Sequence, residues 1–271
     1  MSLTLTLKSD TKLPVEVEGL TPTWAKDKAL SEICGFEIYH GNKKIPLAEV
    51  FDVEGEPRDL RFDFQGDLSS VHWIGAHMQE GEIHIHGPAG RHLGSAMMGG
   101  QIVVDGDAAG WVGAEMRGGK IRVRGNAGDL VGAAYRGSTR GMTGGTILVE
   151  GDVGSEVGLL MRRGLIAVSG NAGDLLGFNM IAGTALVFGS CGKHIGAGMR
   201  RGTLALLGPN PPALLPTFLH ACQASPTVLP LMLKSIRADG FDIDERLLTA
   251  ECDLYHGDMV TLGRGEILVR C

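Results

Sequence analysis

The sequence predicts an all-β fold: a right-handed parallel β-helix, a single-stranded solenoid of about seven nineteen-residue rungs. Three observations predict it. Glycines at 87, 106, 125, 151, 170, 189 and 208 open successive copies; five of the six intervals are nineteen residues, and the 125-to-151 interval carries seven more. Within each copy an apolar residue precedes a second glycine, from Ile74-Gly75 through Val112-Gly113 to Ile195-Gly196, and three residues later a methionine follows in six of seven copies. In the fourth copy Tyr135 takes that offset and Met142 restores it after the insertion. Each copy closes on a short alternating stretch: Ile83/Ile85, Ile102/Val104, Ile121/Val123, Ile147/Val149, Ile166/Val168, Ala185/Val187 and Leu204/Leu206. Alternation turns these residues to one face of a strand, and a copy this short has no room for a helix beside it.

In chain order, residues 1–65 are expected to form an N-terminal β cap, with strands at Leu3–Leu7, Val15–Val17 and Glu37–Tyr39 and a turn at Gly41-Asn42. Residues 66–208 are the glycine-rich solenoid, whose first copy is two residues longer. Its corner glycines serve positive φ or close backbone approach. Asp67, Asp107, Asn126, Asp152 and Asn171 follow those glycines, where short polar side chains bond to turn backbone. The methionines form a soft core column. Residues 209–271 are a helical and strand cap: a helix around Leu229–Ala238 stops at Asp239-Gly240, and Gly265–Val269 repeats a rung ending. Without caps the end rungs would pair with other copies.

Composition limits the function. The net charge of −6 leaves no basic excess for general nucleic-acid binding. The five cysteines are scattered and form no C-x-x-C, which fits a reduced, cytoplasmic protein without a disulfide framework or zinc knuckle. Met1–Lys8 alternates Leu and Thr instead of forming an apolar leader, and prolines break Pro211–Leu233, so neither a signal peptide nor a membrane span is expected.

Most candidate chemistry reads as structure. His84 and His86 share a strand face, with His72 and His77 nearby, but no cysteine or carboxylate stands at matched sequence spacing, so these histidines are expected to face solvent or a partner, not a metal. Gly189–His194 lacks the Ser/Thr and the upstream glycine of a phosphate loop. The Asp/Asn column holds a turn offset, and no nucleophile motif occurs, so no catalytic residue is expected in this chain.

Two features stand outside the repeat. Arg117, Arg162-Arg163 and Arg200-Arg201 follow the methionine offset, and the insertion Tyr135–Gly144 adds Arg136 and Arg140. Clustered guanidinium groups suit carboxylates, so Arg117, Arg136 and Arg140 are candidate contacts for a polyanionic cofactor tail or an acidic partner. The outward positions of the late strands are apolar (Leu148, Ala167, Leu186/Phe188, Ala205/Leu207), and the C-terminal helix or a partner must cover them.

The repeat, written G-[DN]-x-G-x-x-[VL]-G-x-x-M-x-x-G-x-I-x-V, resembles the glycine-rich β-helix shared by the C-terminal domain of the glutamate synthase large chain and the C subunit of formylmethanofuran dehydrogenase. Tyr39–Gly55 (YHGNKKIPLAEVFDVEG), running toward Gly66-Asp67, resembles the latter, and Cys252–Arg270 is more similar to its bacterial counterpart, the C subunit of the formyltransferase/hydrolase complex of methylotrophs. The resemblance implies a non-catalytic subunit of a four-subunit enzyme. In that complex formyl-tetrahydromethanopterin passes its formyl group to a methanofuran-type carrier, and a zinc amidohydrolase-like subunit releases formate. It implies no cofactor in this chain, with the formyltransferase, the zinc subunit and a further subunit as partners. The archaeal-type dehydrogenase subunit is the alternative within the family. A stand-alone carbohydrate-active β-helix enzyme and a free-standing relative of the glutamate synthase domain are alternatives outside that role.

Overall fold

A computed structural model describes residues 2–9 and 11–271. The chain is mostly β, and its repeats stack in register. Strands Arg61–Gln65, Glu82–His86, Gln101–Val104, Lys120–Val123, Thr146–Val149, Leu165–Val168, Thr184–Val187 and Arg201–Leu206 pair parallel, each with the next. The register joins like to like: Ile102 faces Ile121, Ile121 faces Ile147, Ile147 faces Ile166. A second parallel ladder of single bridges links Leu68, Ala89, Ala108, Ala127, Val153, Ala172 and Cys191. A third column runs through the apolar-glycine offset, where Gly113 N–H donates to the Leu93 carbonyl at 2.8 Å and Gly132 N–H to the Val112 carbonyl at 2.8 Å. Neighbouring repeats are thus tied on three sides.

The alternating residues of the closing strands point inward as the period-two pattern requires; Ile102, Ile121, Ile147 and Ile166 are fully buried. Burying each such side chain contributes about 1.5–3 kcal/mol, and the repeat multiplies that gain. Met78, Met97, Met116, Met142, Met161, Met180 and Met199 are all fully buried, so Met142 does restore the column after the insertion.

The corners refine two expectations. Apart from Gly66 (φ 113°), the corner glycines do not need positive φ; they need close approach, and a Cβ on Gly208 would stand 2.1 Å from the Gly189 carbonyl oxygen. The Asp/Asn side chains mostly reach the next repeat instead of their own turn. Asp107 Oδ1 accepts from Asn126 N at 2.7 Å, Asn126 Oδ1 from Asp152 N at 2.8 Å, Asp152 Oδ1 from Asn171 N at 2.6 Å and Asn171 Oδ1 from Ser190 N at 2.8 Å. Asp67 alone of the five bonds locally, to Ser69.

At the N-terminal end Leu3–Leu7 pairs parallel with Arg61–Gln65 and antiparallel with Phe51–Gly55, so the first residues extend the main sheet. Val15–Glu16, Glu37–His40 and Lys43–Pro46 join Val71–His72 in a small second sheet, with Gly41 in the turn. The sequence reading missed the short helices Pro22–Ala25, Leu30–Cys34 and Leu47–Val50, which are too brief to show a helical period.

At the other end Arg264–Arg270 adds to Arg201–Leu206 in parallel, Leu204 opposite Ile267, as the imitated rung ending predicts. The helix Val228–Ala238 ends at Asp239 with Gly240 at φ 83°. It lays Leu229, Leu233 and Ile236 over Leu148, Ala167, Leu186 and Ala205, joined by Phe241, Ile243 and Leu247 from the chain after it. The apolar outer strip is therefore covered by the chain's own C-terminal segment. Arg122, on the outer face of an early strand, donates to the Gly240 carbonyl at 2.9 Å, and Lys120 pairs with Asp239, fastening the helix end.

Candidate functional site

The residues that the repeat does not explain gather on its arginine-bearing side. Arg117, Arg162, Arg163 and Arg200 sit in the tight turn between the buried methionine and the next strand, and Arg201 opens that strand, so the backbone there holds the methionine inward and the arginines outward. All five are exposed, and none makes an ion pair among the described residues. Arg122, Arg124 and Arg61, on the strand faces, are all paired with carboxylates. Arg162, Arg163, Arg200 and Arg201 line a groove of about 430 Å³ whose apolar contacts include Ile181 and Leu262. Unpaired guanidinium groups around an apolar floor can take a chain of carboxylates carrying some aliphatic surface.

Arg136 and Arg140 are likewise exposed and without an ion pair among the described residues. Their insertion is anchored by Tyr135, which folds back across two repeats: its hydroxyl lies 2.7 Å from Ser95 Oγ and 2.8 Å from His92 Nδ1. The Tyr135 ring stacks on Trp111 at 4.8 Å between centroids, and His92 stacks on Trp73 at 4.2 Å. Burial, reinforced by the charges of His72 and Arg91, pushes the His92 imidazole down to about 4, so it is neutral at pH 7. Burial pushes the Tyr135 hydroxyl up to about 12, keeping it protonated. This aromatic column fixes where the insertion leaves the repeat, and the sequence reading missed it. Trp73, His92 and Trp111 do share one repeat offset, each with φ between 64° and 69°. The structure brings Arg162, Arg163, Arg200 and Arg201 together around one groove; Arg117, Arg136 and Arg140 do not line it.

His84 and His86 do face outward, but carboxylates stand against them: Asp63 from the preceding repeat strand and Asp105 from the following one. Spacing along the chain does not reveal these carboxylates; pairing across strands brings them in, with Asp63 the register partner of His84.

Among the described residues, no helix is long and apolar enough to cross a membrane. The GXGXG motif family matches residues 57–211. The C subunit of the molybdenum-containing formylmethanofuran dehydrogenase 1 of Methanothermobacter wolfeii is 41% identical over 95 residues, 35% of this chain and 24% of that protein. The C subunit of the tungsten-containing formylmethanofuran dehydrogenase 2 of Methanococcus maripaludis is 38% identical over 92 residues, 34% of each. The chain thus matches about a quarter to a third of the length of these curated relatives. Among solved structures, a chain of the formyltransferase/hydrolase complex (FhcABCD) from Methylorubrum extorquens, in complex with methylofuran, superposes with a TM-score of 0.92 at 32% identity, covering 99% of both chains.

Proposed function

Because the chain belongs to the GXGXG motif family and is related to the C subunit of formylmethanofuran dehydrogenase, we propose that it is the non-catalytic structural subunit of a formyltransferase/hydrolase complex in one-carbon metabolism. One observation carries the reading: the end-to-end match, 99% of both chains, to a chain of such a complex. In this role the complex converts formyl-tetrahydromethanopterin to formate through a methanofuran-type carrier. Its partners are the formyltransferase, a zinc amidohydrolase-like subunit and a further subunit, and they supply the chemistry.

The scaffold is a right-handed parallel β-helix over residues 66–208, between an N-terminal cap, 1–65, and a C-terminal helical and strand cap, 209–271. Its three columns of inter-repeat pairing support this description. Such a rod holds docking surfaces at fixed separations. Arg117, Arg136 and Arg140, together with the arginine groove, contact an acidic carrier tail or an acidic surface of a partner; their lack of ion pairs among the described residues supports this. The complex works in the cytoplasm.

The test is an affinity pull-down on the tagged chain from its native host, followed by metal analysis. The proposal expects co-purification with three further chains and zinc without molybdenum or tungsten. Molybdenum or tungsten would favour the dehydrogenase reading. A chain that purifies alone and cleaves a polysaccharide would overturn the subunit role. Within the complex, charge reversal at Arg136 and Arg140 that leaves assembly and formate release unchanged would remove those two residues from the proposed contact.

A further inference from the structure

We infer that Asp63, His84, His86 and Asp105 form a binding site for a divalent first-row transition ion of zinc's kind, on the outer face of the first repeat strands. The four side chains come from three consecutive parallel strands or their ends, so in-register pairing of the sheet, not a loop, sets their positions. His84 lies opposite Asp63, and Asp105 directly follows Val104, the partner of Ile85.

The side chains already touch, although His86 reaches the two carboxylates through different nitrogens and can give only one of them to an ion. His84 Nε2 is 3.0 Å from Asp105 Oδ2, His86 Nδ1 is 3.3 Å from the same oxygen, and His86 Nε2 is 3.3 Å from Asp63 Oδ1. One ligand atom each from Asp63, His84 and His86 lies within 4.8 Å of the others. A tetrahedral zinc with bonds of about 2.0–2.2 Å holds neighbouring donors roughly 3.3–3.6 Å apart, so the Asp63, His84 and His86 donors must close in and the Asp105 carboxylate must swing toward them. Two imidazoles and two carboxylates form a borderline nitrogen–oxygen set that suits zinc and its neighbours better than calcium or magnesium.

One further feature fits. Asp105 Oδ1 is buried and receives no hydrogen bond; Arg124 Nη1 stands 2.9 Å away, close enough for an ion pair but out of hydrogen-bond alignment. Arg61 and Arg124 balance the two carboxylates, so they compete with a cation, and removing Arg124 should strengthen binding. The site is independent of the subunit role proposed above.

The test uses the full chain, stripped with chelator and titrated with zinc against a chromophoric chelator, then with cobalt for its visible spectrum. The expected result is one zinc per chain, a tetrahedral cobalt spectrum, at least tenfold weaker binding in His84→Gln and in Asp105→Asn, and tighter binding in Arg124→Ala. His220→Gln, in the His220–Asp253 pair of the C-terminal edge strand, should bind as the parent does. Should a ligand variant misfold, zinc-induced shifts of the His84 and His86 imidazole resonances in the parent decide the matter. No stoichiometric zinc, or equal loss of binding in the His220 variant, would overturn the proposal. Both outcomes leave the subunit reading untouched, since they concern the isolated chain.

Discussion

Replacing Gly106 with alanine tests why the repeat spends a glycine at each corner. Gly106 does not have a positive φ, so the left-handed region is not at issue. A Cβ there would stand 2.8 Å from Gly87 C and Pro88 N and 2.9 Å from the Gly87 oxygen, against an ordinary carbon contact of about 3.5–4.0 Å. The obstructing atoms are all backbone, so no side chain can rotate away. The repeat spacing must widen at the bond from Gly106 N–H to the Gly87 carbonyl, now 3.1 Å. Overpacking of this kind costs about 1–3 kcal/mol, and the stiffer unfolded chain returns about 0.4–1 kcal/mol. The net loss is about 1–2 kcal/mol, or roughly 2–8 °C in Tm at about 2–4 °C per kcal/mol for a chain of this size class. Thermal denaturation reads the loss, and hydrogen exchange locates it: amides bonding across the 87/106 junction, such as those of Asp105 and Gly106, should exchange faster. Gly35→Ala is the control, because its φ is −84° and the nearest atom to its added Cβ stands at 3.4 Å, so the 87/106 junction amides should stay protected. If Gly106→Ala melts with the parent and its junction stays protected, close corner approach does not explain the period.

Other expectations follow from burial and charge. Leu233→Ala, in the helix over the outer strip, should cost about 2–5 kcal/mol in urea unfolding and raise binding of a hydrophobic dye. His92 has a folded-state value of about 4, below the ordinary ~6.5, so the unfolded chain takes the proton first on acidification. Its contribution is therefore complete above pH 6.5 and lost as pH falls toward 4, and His92→Phe should flatten that part of the stability–pH curve. With a thiol reagent at pH 7.5, exposed Cys222 and Cys271 should react first; burial pushes Cys191 up to about 12 and Cys252 up to about 11, and these should react last.

The repeat was legible because each offset carries one physical job: inward Ile/Val and Met, close-packed glycine, and an Asp or Asn that reaches the next turn. The rung ending at Gly265–Val269 and the helix stop at Gly240 were legible for the same reason. Contacts between chemically unlike residues far apart in sequence were not. Asp63 meets His84 across a strand pair, and Tyr135 reaches back to Ser95 across two repeats; neither leaves a period in the chain. The covering of Leu148 and Leu186 was half legible: the apolar strip demanded a cover, and only the fold shows that the C-terminal segment supplies it. The arginines after the methionines were visible as a pattern, but the groove needs Leu262, which no repeat offset predicts.

The proposed scaffold role places the active groups of the catalyst in other chains. The most direct measurement co-expresses the three proposed partner chains with and without this one and follows formate release from formyl-tetrahydromethanopterin. A scaffold role predicts no release by the chain alone, a four-chain assembly with sustained release when it is present, and loss of assembly and release together when it is omitted. Full assembly and full release without it would contradict that role.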